Sequence, residues 1–133
     1  TRKITQAAAK IKKNLQKDLL LGNIQAKRDW GHAKDYVEAM WLMVQQNSPE
    51  DYVVGTGTVH SVEEFAKIAF SVLDLNYENY IKIDKKLYRP TVVSNMISDS
   101  SKIRNKLKWE SKTNFENLVS EMVIYDYNAL KDN

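Results

Sequence analysis

Only six of the 133 positions are glycine or proline, four and two respectively, against a usual combined share of roughly 12%. Turns between strands draw on residues that tolerate left-handed or ring-locked backbone. A turn-rich β architecture, a collagen-like rod and a flexible linker are therefore all disfavoured, and a helix-rich chain remains. With 43% apolar and 28% charged side chains, the composition is that of one globular domain of common size. There is no cysteine, so the chain has no disulfide framework, thiolate metal site or cysteine nucleophile, which fits a reducing compartment. No apolar run approaches the roughly 20 residues that cross a bilayer, and no signal-peptide pattern opens the chain. A cytoplasmic location without membrane contact is expected.

The net charge of +3 is unevenly spread. Arg2, Lys3, Lys10, Lys12, Lys13 and Lys17 fall before residue 18 with no acid among them, which leaves 14 basic against 17 acidic groups in the remainder. The sequence pI near 9.0 thus belongs to one segment rather than to a nucleic-acid-binding surface over the whole domain.

Ile4, Ala7, Ala8, Ile11 and Leu15 recur at helical spacing, which predicts an amphipathic helix over 4–17 with most lysines opposite the core. It starts at the first residue without a capping signal, so the chain is expected to begin inside a larger fold. Leu19-Leu20-Leu21-Gly22 reads as a short buried strand. Ala33, Tyr36, Val37, Met40, Trp41 and Val44 repeat with helical period and predict a helix over 33–44, closed by Ser48-Pro49. Tyr52-Val53-Val54 reads as a second buried strand before the turn Gly55-Thr56-Gly57. Ser61-Val62-Glu63-Glu64 is a capping box opening a helix through Phe65, Ala66, Ala69, Val72 and Leu73. Tyr80-Ile81-Lys82-Ile83 alternates like an edge strand, Ser98 or Asp99 caps a short helix with Ile103 and Leu107, and Thr113 to Glu116 forms a second capping box. The last helix carries Phe115, Leu118, Val119, Met122, Val123 and Leu130 on one face. Two short buried strands do not make a stable sheet alone, so they either decorate a helical domain or extend a parallel sheet whose remainder is missing.

The candidate chemistry is sparse. A dinucleotide loop needs a glycine-rich strand-to-helix turn so that backbone amides reach the pyrophosphate. Gly55-Thr56-Gly57 is followed by Val59 and His60 where that pattern should continue, and it is read as a turn. The Tyr-x-x-x-Lys spacing at Tyr127 and Lys131 is read as a coincidence of helical geometry. His32 and His60 are too few and too far apart for a histidine metal site, so no metal is expected. Asp29 and Asp35 are read as orienting Arg28 and supporting the first turn of the helix at 33, with an acid/base pair as the other option. Arg28, before a helix, and Arg89, before Pro90, each either pair with a local carboxylate (Asp29 or Asp35 for Arg28) or offer a planar fork to an anionic oxygen.

The run from Leu21 to Trp41, with its core Lys27-Arg28-Asp29-Trp30-Gly31-His32-Ala33-Lys34-Asp35-Tyr36-Val37-Glu38-Ala39-Met40-Trp41, resembles the carboxyl-terminal part of GDP-mannose 4,6-dehydratases. These belong to the extended short-chain dehydrogenase superfamily. Thr1 to Thr5, Tyr52 to Phe65 and Tyr88-Arg89-Pro90-Thr91 carry the same likeness. The resemblance implies a helix-rich α/β fold, the carboxyl-terminal part of an extended short-chain dehydrogenase (NAD(P)-binding Rossmann) fold, with few short strands in residues 1–133. It further implies that these residues are the portion that binds the nucleotide-sugar. The Rossmann core, which carries NADP, the glycine-rich loop and the catalytic residues, is absent from this chain. In such enzymes hydride passes from sugar C4 to NADP, water is eliminated across C5 and C6, and the hydride returns to C6, giving GDP-4-keto-6-deoxymannose. With no catalytic residue in residues 1–133, this chain alone is expected to be inactive, and the full enzyme to be a homo-oligomer. Within the superfamily, the arginines of the Arg-Asp-aromatic and Tyr-Arg-Pro motifs contact the substrate diphosphate, which the resemblance carries onto Arg28 and Arg89. The family's usual glutamate is replaced by Val92, which cannot accept a ribose hydroxyl, so that contact has to come from another group. The segment from Leu73 to Tyr88 is short, implying a smaller lid. The alternatives are another sugar-nucleotide epimerase, reductase or dehydratase and, outside the class, a helical module whose basic first helix contacts nucleic acid or an acidic partner.

Overall fold

The structure, a computed structural model, describes residues 1–88 and 97–130. The chain divides into two compact units, one of Thr1–Ala26, Ser61–Ser94 and Val119–Asn133, the other of Lys27–His60 and Asn95–Leu118.

In the first unit, α1 (Arg2–Lys12) buries Ile4, Thr5, Ala7, Ala8, Ala9 and Ile11 and packs on α3 (Val62–Ser71). The helix is shorter than its apolar pattern suggests. Asn14 takes a left-handed φ of 57°, a conformation that asparagine tolerates, and the Leu15 amide folds back to the Lys10 carbonyl at 2.8 Å. Leu15 therefore leaves the stripe and is 50% exposed. Part of the basic face serves the fold itself, since Lys3 donates to the Leu20 carbonyl at 2.7 Å and Lys13 to that of Leu130 at 2.6 Å.

The capping box that opens α3 is complete. Ser61 Oγ accepts from the Glu64 amide at 3.0 Å, and Glu64 Oε2 accepts from the Ser61 amide at 2.8 Å. Behind it Phe65, Ala66, Ala69 and Phe70 are fully buried. Replacing Ser61 by alanine is expected to cost about 1 kcal/mol, the usual worth of such a cap; an unmoved midpoint in a urea titration would contradict that role.

One polar cluster is buried here. Thr5 donates to Asp126 Oδ2 at 2.6 Å, and Arg2 reaches the other oxygen at 3.4 Å. The strand read at Leu19 is present as β1 (Leu19–Leu21) and pairs in parallel with β4 (Ile81–Ile83), with Leu19 opposite Ile81 and Leu21 opposite Ile83. Leu19 and Leu21 are buried while Leu20 points outward.

In the second unit the core is Ala39, Ile103 and Trp109, with Tyr36, Leu42, Met43, Tyr52, Val54 and Leu107 packed around it. Helix α2 (Ala33–Val44) has the expected bounds, and much of its apolar set faces outward. Val37, Met40, Trp41 and Val44 are 60–71% exposed, and Asp35 and Ala39 are its buried residues. The turn of the helix follows from an anchor that hydropathy does not register: Trp109 Nε1–H donates to the Asp35 carbonyl at 2.8 Å.

Tyr52-Val53-Val54 is not a strand. Tyr52 and Val54 use their side chains on the core cluster, and Val53 is 54% exposed. The short pairing in this part of the chain joins β2 (Lys27–Arg28) and β3 (His60–Ser61) instead. Ahead of α4 (Ser101–Leu107), Asp99 Oδ1 accepts from the Ser101 amide at 2.9 Å. The cap of α5 (Phe115–Ala129) lies one residue beyond the predicted box, because Asn114 Oδ1 accepts from the Asn117 amide at 2.8 Å while the Thr113 amide is committed to Asp35 Oδ2 at 3.0 Å.

Candidate functional site

Arg28 ends β2. Its Nη1 donates to the Lys27 carbonyl at 2.6 Å, and among the described residues no carboxylate pairs with it, so neither Asp29 nor Asp35 takes the ion-pair role available to them in the sequence. Arg28 lines an open pocket of about 470 Å³ together with Asp29, Tyr36, Val53, Gly55 and Ser98. Its remaining guanidinium donors supply the planar fork that matches phosphate geometry. Arg89, with Pro90 and Val92, lies outside the described residues.

Asp29 clasps two distant loops. It accepts from the Thr56 amide at 3.1 Å, the Thr56 hydroxyl at 2.6 Å and the Gly57 amide at 3.0 Å, and also from the Ser98 hydroxyl. Partial burial pushes its carboxyl up, but the Ser98 and Thr56 hydroxyls and the Gly57 and Thr56 amides outweigh that and hold it below the ordinary aspartate range. The turn Gly55-Thr56-Gly57 thus spends its Thr56 and Gly57 amides on an internal carboxylate. Its glycines are needed for this. A Cβ on Gly55 would lie 2.1 Å from Ser98 Oγ, and Gly57 has a φ of +77°. Ser100 completes the loop, donating to the Gly55 carbonyl at 2.7 Å and accepting from its amide at 3.1 Å. The roles of Ser98 and Ser100 were not apparent in the sequence, where the Ser98-Asp99-Ser100-Ser101 run signals only a helix cap.

Asp35 is buried and accepts from the Ser111 hydroxyl and the Lys112 and Thr113 amides at 3.0–3.1 Å. Burial pushes it up; the Thr113 amide, the Ser111 hydroxyl and the Lys112 amide prevail, and it stays below the usual carboxylate range. With both carboxyls saturated and ionised, Asp29 and Asp35 are poor general acids. Tyr36 is pushed upward by burial and by the charges of Asp29 and Asp35, so it stays protonated as a donor beside the pocket.

The histidines hold structure. His32 Nδ1 accepts from the Lys34 amide at 3.0 Å as the cap of α2, and His60 stacks on Phe115 with centroids 3.8 Å apart. Among the described residues no group of three or more His, Cys, Asp or Glu is placed to hold a metal ion. The ring of Tyr127 lies under the Lys13 ammonium at 5.0 Å, and Lys131 is outside the described residues.

Solved structures with the same fold include RMD from Pseudomonas aeruginosa complexed with NADPH, at a TM-score of 0.85 and 14% identity over 97% of this chain and 42% of that one. A dTDP-glucose 4,6-dehydratase from Bacillus anthracis in complex with NAD matches at 0.78 and 20% identity, over 95% of this chain and 39% of that one. The fold is thus that of part of an extended short-chain dehydrogenase, rich in helix and poor in strand. In sequence, the chain is 52% identical to GDP-mannose 4,6 dehydratase 1 of Arabidopsis thaliana over 98% of its length and 36% of that protein's. It is 43% identical to the human GDP-mannose 4,6 dehydratase over its whole length and 40% of the human protein. The chain therefore spans about two-fifths of the curated relatives it matches. Residues 1–122 match the family described as GDP-mannose 4,6 dehydratase, and the chain belongs to that family.

Proposed function

We propose that residues 1–133 are the carboxyl-terminal, nucleotide-sugar-binding portion of an enzyme that converts GDP-mannose to GDP-4-keto-6-deoxymannose. The observation that carries this reading is the family match over residues 1–122. Arg28, without a carboxylate partner among the described residues and lining an open pocket, supports it. In this reading the Arg28 guanidinium binds the diphosphate bidentately and Arg89 supplies the second arm. The Asp29 clasp sets the pocket wall by tying the 55–57 turn and Ser98 to the residue next to Arg28.

When bound, NADP supplies the hydride acceptor and donor. The described residues do not fit that cofactor, because the amides of Thr56 and Gly57 in the chain's one Gly-x-Gly turn are turned onto Asp29. The cofactor and the acid/base groups belong to the rest of the enzyme, so the isolated chain is inactive. A cytoplasmic homo-oligomer belongs to the same reading. Lys3 and Lys13 bind carbonyls of this fold and Arg2 pairs with Asp126, which weighs against the basic-helix alternative.

The test is a chimera in which this chain replaces the matching stretch of the Arabidopsis relative. Turnover of GDP-mannose is expected to exceed that of UDP-glucose and dTDP-glucose by at least about 100-fold, or about 2.8 kcal/mol. Equal turnover, or preference for another base, would transfer the chain to the epimerase, reductase or other dehydratase alternative.

A further inference from the structure

Tyr36 carries a hydroxyl that the fold holds in place and leaves without a protein partner. Its ring packs on the cluster of Ala39, Ile103 and Trp109, with its centre 6.3 Å from that of the Trp109 ring. Its hydroxyl end lies against Gly31, where an added Cβ would be 2.2 Å from Oη and 2.4 Å from Cζ. Among the described residues the glycine with a positive φ is Gly57, so position 31 requires glycine for space and not for backbone conformation. A ring lodged in a packed core does not swing aside cheaply. Gly31 therefore keeps the hydroxyl where it is.

Two carboxylates are close enough to act on that hydroxyl, since burial and then the charges of Asp29 and Asp35 push it upward. Neither accepts its proton. Asp29 is filled by donors from Thr56, Gly57 and Ser98, and Asp35 by donors from Ser111, Lys112 and Thr113. Among the described residues the Tyr36 hydroxyl makes no hydrogen bond, and no fully buried side-chain polar atom is without a partner, so Oη is open to what enters from outside. A tyrosine hydroxyl set against a core usually has a partner. Tyr36 instead lines the pocket of about 470 Å³ that Arg28 also lines.

We propose that the Tyr36 hydroxyl is a further substrate-binding group, donating to a non-bridging oxygen of the diphosphate beside the Arg28 fork. The inference rests on the functional reading above and adds to it a donor that belongs to neither arginine. A guanidinium presents its donors in one plane, whereas a diphosphate spreads its acceptor oxygens around two tetrahedral phosphorus atoms, so one fork leaves oxygens unmatched. An O–H fixed on another element supplies one of them. Burial and the neighbouring carboxylates keep the proton on Tyr36, so it meets an anion as a donor. Because the ring is already held by the core, little side-chain freedom is lost when the contact forms.

Calorimetric titration of GDP-mannose and of inorganic pyrophosphate into the chimera and its Tyr36→Phe variant tests this. Phenylalanine keeps the ring and its packing, so the urea midpoint should stay put while both ligands bind at least about tenfold more weakly, the lower end for a hydrogen bond to a charged group. Unchanged affinity for both would overturn the proposal. So would a loss confined to GDP-mannose, because that assigns the hydroxyl to the sugar or the base. If Tyr36→Phe lowers the midpoint, Gly31→Ala is the second variant: it crowds the hydroxyl without removing it, and wild-type affinity for pyrophosphate in that protein also overturns the assignment. If the chimera does not fold, pyrophosphate binding is followed by phosphorus NMR on the 133-residue chain, where absent binding, or binding that Tyr36→Phe leaves unchanged, counts against it. A chimera that prefers another sugar-nucleotide but loses pyrophosphate affinity with Tyr36→Phe keeps this inference and discards the functional reading. One that prefers GDP-mannose and is indifferent to Tyr36→Phe does the reverse.

Discussion

Replacing Trp109 by alanine is expected to lower the unfolding free energy of the chain by about 3–5 kcal/mol, the range for removing a large aromatic from a packed core. Trp109 is 2% exposed, the largest of the fully buried side chains. It contacts the Ala39 and Ile103 cluster, sits 6.3 Å from the Tyr36 ring centre, and donates Nε1–H to the Asp35 carbonyl. Truncation removes the packing, leaves a cavity and deprives the carbonyl of its donor. Domains commonly hold only about 5–15 kcal/mol in reserve, so urea titration should show a large fall in midpoint. Trp109→Phe, which keeps most of the volume, should lose about 1–2 kcal/mol, mainly the hydrogen bond. Similar losses in the two variants would mean that the polar contact, not the packing, is what matters.

Asp35→Ala is expected to cost about 2–4 kcal/mol, because it removes a buried charged acceptor, and a hydrogen bond to a charged group is worth about 1.5–3 kcal/mol. Three donors converge on this carboxylate, from Ser111, Lys112 and Thr113. The loss is read from urea midpoints near neutral pH. Asp35→Asn keeps an acceptor oxygen and should lose less. The pH dependence has a definite sign. The folded chain holds the Asp35 carboxyl below its ordinary value, so its contribution is complete above the unfolded aspartate pKa of about 3.9 and is lost as pH falls through the lower folded value. Wild-type stability should therefore drop on acidification below about pH 4, and Asp35→Ala should flatten that drop. An equally steep acid limb in the variant would show that other carboxylates dominate it.

Elements whose signals are local were legible in the sequence. Ser61 and Glu64 are three residues apart, and their reciprocal bonds form as the spacing requires. The bounds of α2 also followed from periodicity. What failed depends on partners remote in the chain. The orientation of α2, which leaves an apolar stripe outward, depends on Trp109, 74 residues from Asp35. Tyr52-Val53-Val54 has strand composition, but the neighbours of Tyr52 and Val54 are side chains of the core cluster rather than a ladder. At the site, Arg28 stood out through its motif. The work of Asp29 did not, because Thr56 is 27 residues away and Ser98 is 69, and no local spacing connects them.

The most direct measurement of diphosphate binding is calorimetric titration of GDP-mannose into the chimera and its Arg28→Ala variant. Loss of a charged, bidentate contact predicts weakening by about 1.5–3 kcal/mol with the fold intact by circular dichroism. Unchanged affinity in a folded Arg28→Ala protein would contradict the assignment of this chain as the portion that holds the diphosphate through Arg28.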